Sequence, residues 1–107
     1  MIMTTTAPID VHNAESRKRY EAEVDGEFAE LTYEMADAGT MILAHTEVAP
    51  ALRGRGIGKQ VVAAALNDAR SRHLKVIPLC SMVALYMSKH PETQDLLAPG
   101  ASMAPTE

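Results

Sequence analysis

Arg53, Gly54, Arg55, Gly56, Ile57, Gly58 and Lys59 run consecutively between a strand-like apolar segment and an alanine-rich stretch of helical period. A strand, a glycine-rich turn and a helix in that order leave several backbone N–H groups unpaired at the helix start, beside the positive end of the helix dipole. Both features favour a bound anion. Glycine suits the position because a Cβ hinders both a tight turn and the approach of a phosphate to the backbone. Arg53, Arg55 and Lys59 concentrate positive charge at the same point. The run reads as a cradle for a pyrophosphate, against a plainer reading in which the glycines only turn the chain. Two familiar nucleotide loops do not fit. A Walker A loop needs Ser or Thr after its lysine, and Gln60 follows Lys59. A dinucleotide fingerprint is spaced Gly-x-Gly-x-x-Gly, whereas Gly54, Gly56 and Gly58 recur at every second residue.

Hydrophobic period supplies the elements that must position this run. Residues 1–11 are aperiodic and contain Thr and Pro, and a flexible arm is expected there. From Ser16 the chain alternates, with Tyr20, Ala22 and Val24 on one face and Arg19, Glu21 and Glu23 on the other; Asp25-Gly26 is then a strong hairpin signal. The return strand alternates through Ala29, Leu31, Tyr33 and Met35. After a turn at Asp37 to Gly39, a third strand from Thr40 to Val48 is more continuously apolar, as suits a central position. Pro50 and the glycines end it. Ile57, Val61, Ala65 and Ala69 then form a helical stripe with Val62 and Leu66 beside it, ending near His73. Lys75 to Leu79 reads as a short strand, and Met82 to Lys89 as a second helix stopped by Pro91. Residues 12–97 are thus expected to form a single domain and 98–107 a flexible tail.

The expected architecture is α/β, with a mixed sheet of four main strands: antiparallel strands, then a strand–helix–strand unit and a second helix. A right-handed crossover makes the strands of that unit parallel. Ligands of such sheets sit beyond the carboxyl ends of the parallel strands, where the glycine run lies on one side and Cys80 on the other. Met35, Met41, Met82 and Met87 read as core filler.

Composition narrows the function classes. A chain of 107 residues can bury one core but not two. Its net charge of −4 argues against a general nucleic-acid binder, yet the local cations leave room for a phosphate-bearing ligand. With no Trp, and only Tyr20, Phe28, Tyr33 and Tyr86 as aromatics, a base-stacking platform has little material. No apolar run approaches membrane-spanning length, and Met1 to Asp10 lacks a basic start followed by an apolar stretch; no membrane partner and a cytoplasmic location are expected. A single cysteine excludes an internal disulfide, and the scattered His12, His45, His73 and His90 suggest no metal site.

Arg53 to Gly58 fits the acetyl-CoA signature Arg/Gln-x-x-Gly-x-Gly/Ala, and in this the chain resembles the GNAT N-acetyltransferase superfamily. Three further blocks are similar to its compact GNAT-like subfamily: His45-Thr46-Glu47-Val48 before the glycines, Val76-Ile77-Pro78-Leu79-Cys80 after them, and Tyr86 with His90-Pro91-Glu92. The resemblance spans about residues 12–97. It implies a minimal acyl-CoA N-acyltransferase fold and direct transfer of acetyl from acetyl-CoA to a primary amine in a ternary complex, without a metal. It further implies that acetyl-CoA lies between the third strand and the Lys75 to Leu79 strand. Its pyrophosphate would rest on the glycine run, Arg53 to Lys59, and its pantetheine along strand edges near Glu47 and Val48. The acceptor could be a small amine or a protein amine. A non-catalytic acyl-CoA-binding or sensing module is the alternative, and an interaction domain that lost the ligand is a third reading.

On that resemblance, four side chains are candidates for the chemistry. A lysine-like amine of pKa ~10.4 is neutral in only about one molecule in 2,500 at pH 7, so transfer must offset roughly 4–5 kcal/mol of deprotonation. His45 is the leading base, against a role as a hydrogen-bonded strand histidine. Glu47 shares its parity and could act through water, or be a surface glutamate. Cys80 is placed beside the thioester, as pocket lining or as a transient nucleophile. Tyr86 matches, by position, a tyrosine that protonates departing CoA in larger members, and core packing is an equal reading. The oxyanion would be met by a backbone N–H near Glu47 or Val48, where a bulge in the strand would help.

Overall fold

In the computed structural model, which describes residues 9–102, five strands form one mixed sheet in sequence order. They are β1 (His12–Ala14), β2 (Arg19–Val24), β3 (Glu27–Asp37), β4 (Thr40–Val48) and β5 (Lys75–Pro78). Neighbours from β1 to β4 are antiparallel, and β4 with β5 is parallel. Two α-helices, α1 (Ile57–Ser71) and α2 (Ser81–Lys89), follow β4 and β5, and a 3-10 helix spans Pro91–Leu96. Asp25 and Gly26 both take positive φ, 53° and 78°, as a two-residue type I′ hairpin requires between twisted strands.

The ends differ from expectation. Residues 1–8 of the expected arm and 103–107 of the expected tail lie outside the described residues. The remainder of the arm is docked: the Ile9 N–H donates to Gln60 Oε1 (3.0 Å), and Ile9 and Val11 pack against the core. β1 adds a fifth strand. At three residues it is too short to show a period, and the Tyr33 hydroxyl donating to Asn13 Oδ1 (2.7 Å) ties it down. At the other end the Ala98 N–H donates to the Val76 carbonyl (2.8 Å), so this residue covers the outer edge of β5.

The helices pack on the face formed by Ala29, Leu31, Tyr33, Met41 and Leu43, and the full predicted stripe of α1 is buried against it. Met41 and Met87 fill this core as expected. Met35 and Met82 do not: they are 37% and 38% exposed, because one lies near the β3–β4 turn and the other at the start of α2, beside Gly58 and open to solvent on one side. The opposite face carries Phe28, Glu30, Thr32 and Glu34 of β3. Glu21 of β2 also projects there, yet it is buried beneath cations. Arg17 donates to it from Nη2 (2.6 Å) and Nε (3.0 Å), Arg19 donates from Nε, and His12 Nε2 lies 3.4 Å away.

These arginine hydrogen bonds outweigh burial and lower the Glu21 carboxyl from 4.5 to about 2. A depressed carboxyl contributes stability that is complete above pH 4.5 and lost as pH falls through about 2. The stability gap between wild type and Glu21→Gln should therefore be widest above that window and close across it on acidification. Urea unfolding at a series of pH values reads this directly, and a gap independent of pH would contradict it.

Two irregularities shape β4. Thr32 pairs with His45 and Tyr33 with Leu43, which leaves Ala44 without a partner. This bulge lies nearer the strand centre than the expected site at Glu47 or Val48. It also reverses the side-chain parity beyond it. Thr46 pairs with Leu31 and Val48 with Ala29, so both face the helices, while His45 and Glu47 pair with Thr32 and Glu30 on the other face. The second irregularity is a parting of strands. β5 pairs with β4 only as far as Leu43 with Pro78, and the chain then turns through Leu79 and Cys80 into α2. Among the described residues, no strand pairs with residues 44–48 of β4 on that edge.

Candidate active site

At the α1 start the glycines have separate duties. Gly54 (φ 81°) and Gly56 (φ 76°) occupy left-handed conformations that L side chains rarely adopt. Gly56 is the N-cap, and its carbonyl accepts from the Gln60 N–H (3.2 Å), the first such bond of the helix. The N–H groups of Ile57, Gly58 and Lys59 therefore lack intrahelical acceptors. Gly58 serves packing: a Cβ there would stand 3.0 Å from Met82 Sδ and 3.3 Å from Val48 Cγ2. Two arginines brace the loop. Arg53 Nε donates to the Val48 carbonyl (3.2 Å), and Arg55 Nη1 donates to Asp25 Oδ2 (3.1 Å) on the β2–β3 turn.

This loop opens on a cleft of about 680 Å³, within the range of ordinary ligand sites. Leu52, Ile57, Met82 and Leu85 supply apolar wall; Arg53 and Lys59 supply charge at the loop end; residues 45–48 of β4 form one side. A ligand with an anionic head and a long, weakly polar arm matches that gradient. The predicted residues Glu47, Val48, Arg53, Gly54, Gly56, Ile57, Gly58 and Lys59 all line the cleft, as does His45. Arg55 belongs to the same loop but is turned to the hairpin.

The structure separates the predicted chemical residues. His45 and Glu47 project from the helix-free face, both exposed, with Nε2 and Oε2 3.7 Å apart. Cys80 lies on the helix side, buried, its N–H donating to the Leu43 carbonyl (3.0 Å). Its side-chain partner is Thr46, with Oγ1 and Sγ 3.2 Å apart. Sequence reading passed over Thr46 because regular alternation from Leu43 turns His45 inward and Thr46 outward, and nothing in Leu43-Ala44-His45 marks the bulge. Met82 and Leu85 were also missed as cleft residues, although their i, i+3 spacing puts them on one helix face.

Tyr86 does not join this site. It is stacked on His90, ring centroids 3.8 Å apart, and the His90 Nδ1–H donates to the Tyr86 carbonyl (2.7 Å). It borders a separate hollow with Ala63 and Leu66 of α1 and with Glu92 and Thr93. Tyr86 is about 100° around α2 from Leu85 and borders this hollow rather than the cleft, so the expected role as acid for the departing thiolate has no geometric support.

Comparison with known proteins agrees with this arrangement. The family described as GCN5-related N-acetyl-transferase matches residues 19–96. Protein NATD1 of Xenopus tropicalis is 32% identical over 96 residues, covering 88% of each chain. Protein NATD1 of Homo sapiens is 34% identical over 91 residues, covering 83% of this chain and 80% of its own. The fold superposes on the solution NMR structure of a GCN5-like protein from Staphylococcus aureus with a TM-score of 0.66 at 28% identity, covering 86% of this chain and 90% of that one. A phosphate-ready loop, a parted pair of parallel strands and these relatives lead to one assignment: the chain belongs to the GCN5-related N-acetyltransferase family.

Proposed function

We propose that the protein transfers an acetyl group from acetyl-CoA to a primary amine by direct attack in a ternary complex. The observation that carries this reading is the continuity of the site: unpaired N–H groups at the α1 start open on a cleft walled by residues 45–48 of β4, past the point where β5 stops pairing with it, and by Met82 and Leu85 of α2. The diphosphate rests on the loop from Gly54 to Lys59, and the pantetheine follows the unpaired edge of residues 44–48. Burial of Cys80 beneath Thr46 favours direct attack over a cysteine-bound acetyl group. The amine approaches from the helix-free face, where His45 with Glu47 accepts its proton. A second hollow of about 340 Å³ there shares Glu47, Val48 and Arg53 with the cleft and is lined by Glu27 and Glu30, which attract a protonated amine. A cytoplasmic location forms part of the proposal; among the described residues no helix is long and apolar enough to cross a membrane.

Release of CoA thiol over a panel of small amines, polyamines and lysine peptides tests the reading. With an accepted amine, His45→Ala should lower kcat by about 100-fold or more, the lower end of general-base effects. Tyr86→Phe should leave kcat/KM within about two-fold, since its hydroxyl lies outside the cleft. One observation favours a second reading, an acyl-CoA-binding or sensing module: the only imidazole at the cleft is exposed, and the expected phenol is elsewhere. Binding of acetyl-CoA without thiol release from any amine would support that module and reject the transferase.

A further inference from the structure

Departure of CoA from the tetrahedral intermediate places negative charge on sulfur, and Tyr86 is not there to meet it. Among the residues lining the cleft, Thr46 is the only one that carries a hydroxyl. The bulge at Ala44 turns it to the helix side, and the parting of β4 from β5 after Leu43 leaves it at the inner end of the gap. It is half-buried, with Cys80 Sγ 3.2 Å from Oγ1 on one side and the cleft on the other. A hydroxyl donates one hydrogen bond and accepts two, and oxygen is a better acceptor than a thiol sulfur. Either group can donate in this contact; in the arrangement where the Cys80 S–H donates to Oγ1, the Thr46 hydrogen is free to turn into the cleft.

We infer that Thr46 donates a hydrogen bond to the departing CoA sulfur, with Cys80 as the positioning residue that aims its hydroxyl. The inference rests on the acetyl-CoA reading above. In the step concerned, the amine nitrogen bonds to the acetyl carbon, the carbon–sulfur bond breaks and its electron pair stays on sulfur. The proton shed by the amine reaches that sulfur through His45 and solvent; Thr46 keeps its own proton and lowers the energy of the charge. No oxidant or reductant enters.

The test pairs a binding measurement with turnover, using Thr46→Val, which keeps the shape, and Thr46→Ser, which keeps the hydroxyl. Calorimetry compares CoA with acetyl-CoA at neutral and alkaline pH, where free CoA becomes a thiolate. Wild type should come to prefer CoA by about 10-fold or more on the alkaline side, as expected for a hydrogen bond to a charged group. Thr46→Val should lose this preference while binding acetyl-CoA as wild type does, Thr46→Ser should keep it, and Cys80→Ala should weaken it. In turnover, Thr46→Val should lower kcat about 10- to 100-fold at unchanged KM for acetyl-CoA, with Thr46→Ser restoring most of the rate. A valine variant equal to wild type in both measurements overturns the inference, as does a serine variant that fails like valine. A hydroxyl-dependent thiolate preference in a protein that acetylates no amine would support the sulfur contact and reject the transferase reading. Failure of wild type to bind acetyl-CoA would overturn both.

Discussion

Gly56→Glu should lower acetyl-CoA affinity by at least about 100-fold while leaving the protein folded. Three effects act in the same direction. Gly56 takes φ 76°, where a residue with a Cβ costs on the order of 1–2 kcal/mol, so the loop would rearrange to escape. The new side chain occupies space on the approach to the N–H groups of Ile57, Gly58 and Lys59. Its carboxylate also repels the diphosphate that the helix start would attract. Gly100→Ala is a matched control: φ there is 81° with nothing within 4 Å of an added Cβ, far along the chain from the loop. It should show the backbone cost in thermal unfolding with acetyl-CoA affinity intact. Calorimetry on the two variants separates strain from loss of the anion site, and equal affinities would remove the loop from the account.

Leu31→Ala should destabilise the fold by about 2–5 kcal/mol, the range for large-to-small changes in a packed core. Leu31 is fully buried at the centre of the sheet, paired with Tyr20 on β2 and Thr46 on β4 under α1. At about 4–8 °C per kcal/mol for a domain of this size, Tm should fall by about 8–40 °C. Phe28→Ala removes more carbon from the same strand, yet Phe28 is 57% exposed on the helix-free face and should shift stability by only about 0.5 kcal/mol or less. Similar losses for the two variants would mean that the packed and open faces of β3 have been assigned wrongly. Because Leu31 backs Thr46, its loss should also loosen the inner end of the cleft.

What could be read in advance was local. Asp25-Gly26 signals its turn through residues that tolerate positive φ, and the glycine run announces an anion-ready helix start within seven residues. The parallel β4–α1–β5 unit follows from period and connection length. Features that depend on register were out of reach. Ala44 is an ordinary strand residue whose extra place in the ladder emerges only when β3 is laid beside it, and that place decides whether His45 or Thr46 faces Cys80. Glu21 reads as a surface charge until Arg17 and Arg19 close over it. Tyr86 matched a functional tyrosine by sequence position, but the setting of α2 turns Met82 and Leu85 to the cleft instead. The third glycine belonged to the motif by type, while its physical reason is the sulfur of Met82.

Acetyl-CoA along β4, with its diphosphate on the α1 start, is the placement on which the proposed function depends. Titration of the isotope-labelled protein with acetyl-CoA, followed by backbone amide NMR, tests it most directly. The amides of Gly54 to Lys59 and of Thr46 to Val48 should move together and saturably, while those bordering Tyr86 and His90 stay in place. Shifts confined to the Tyr86 hollow, or none at all, would contradict the account.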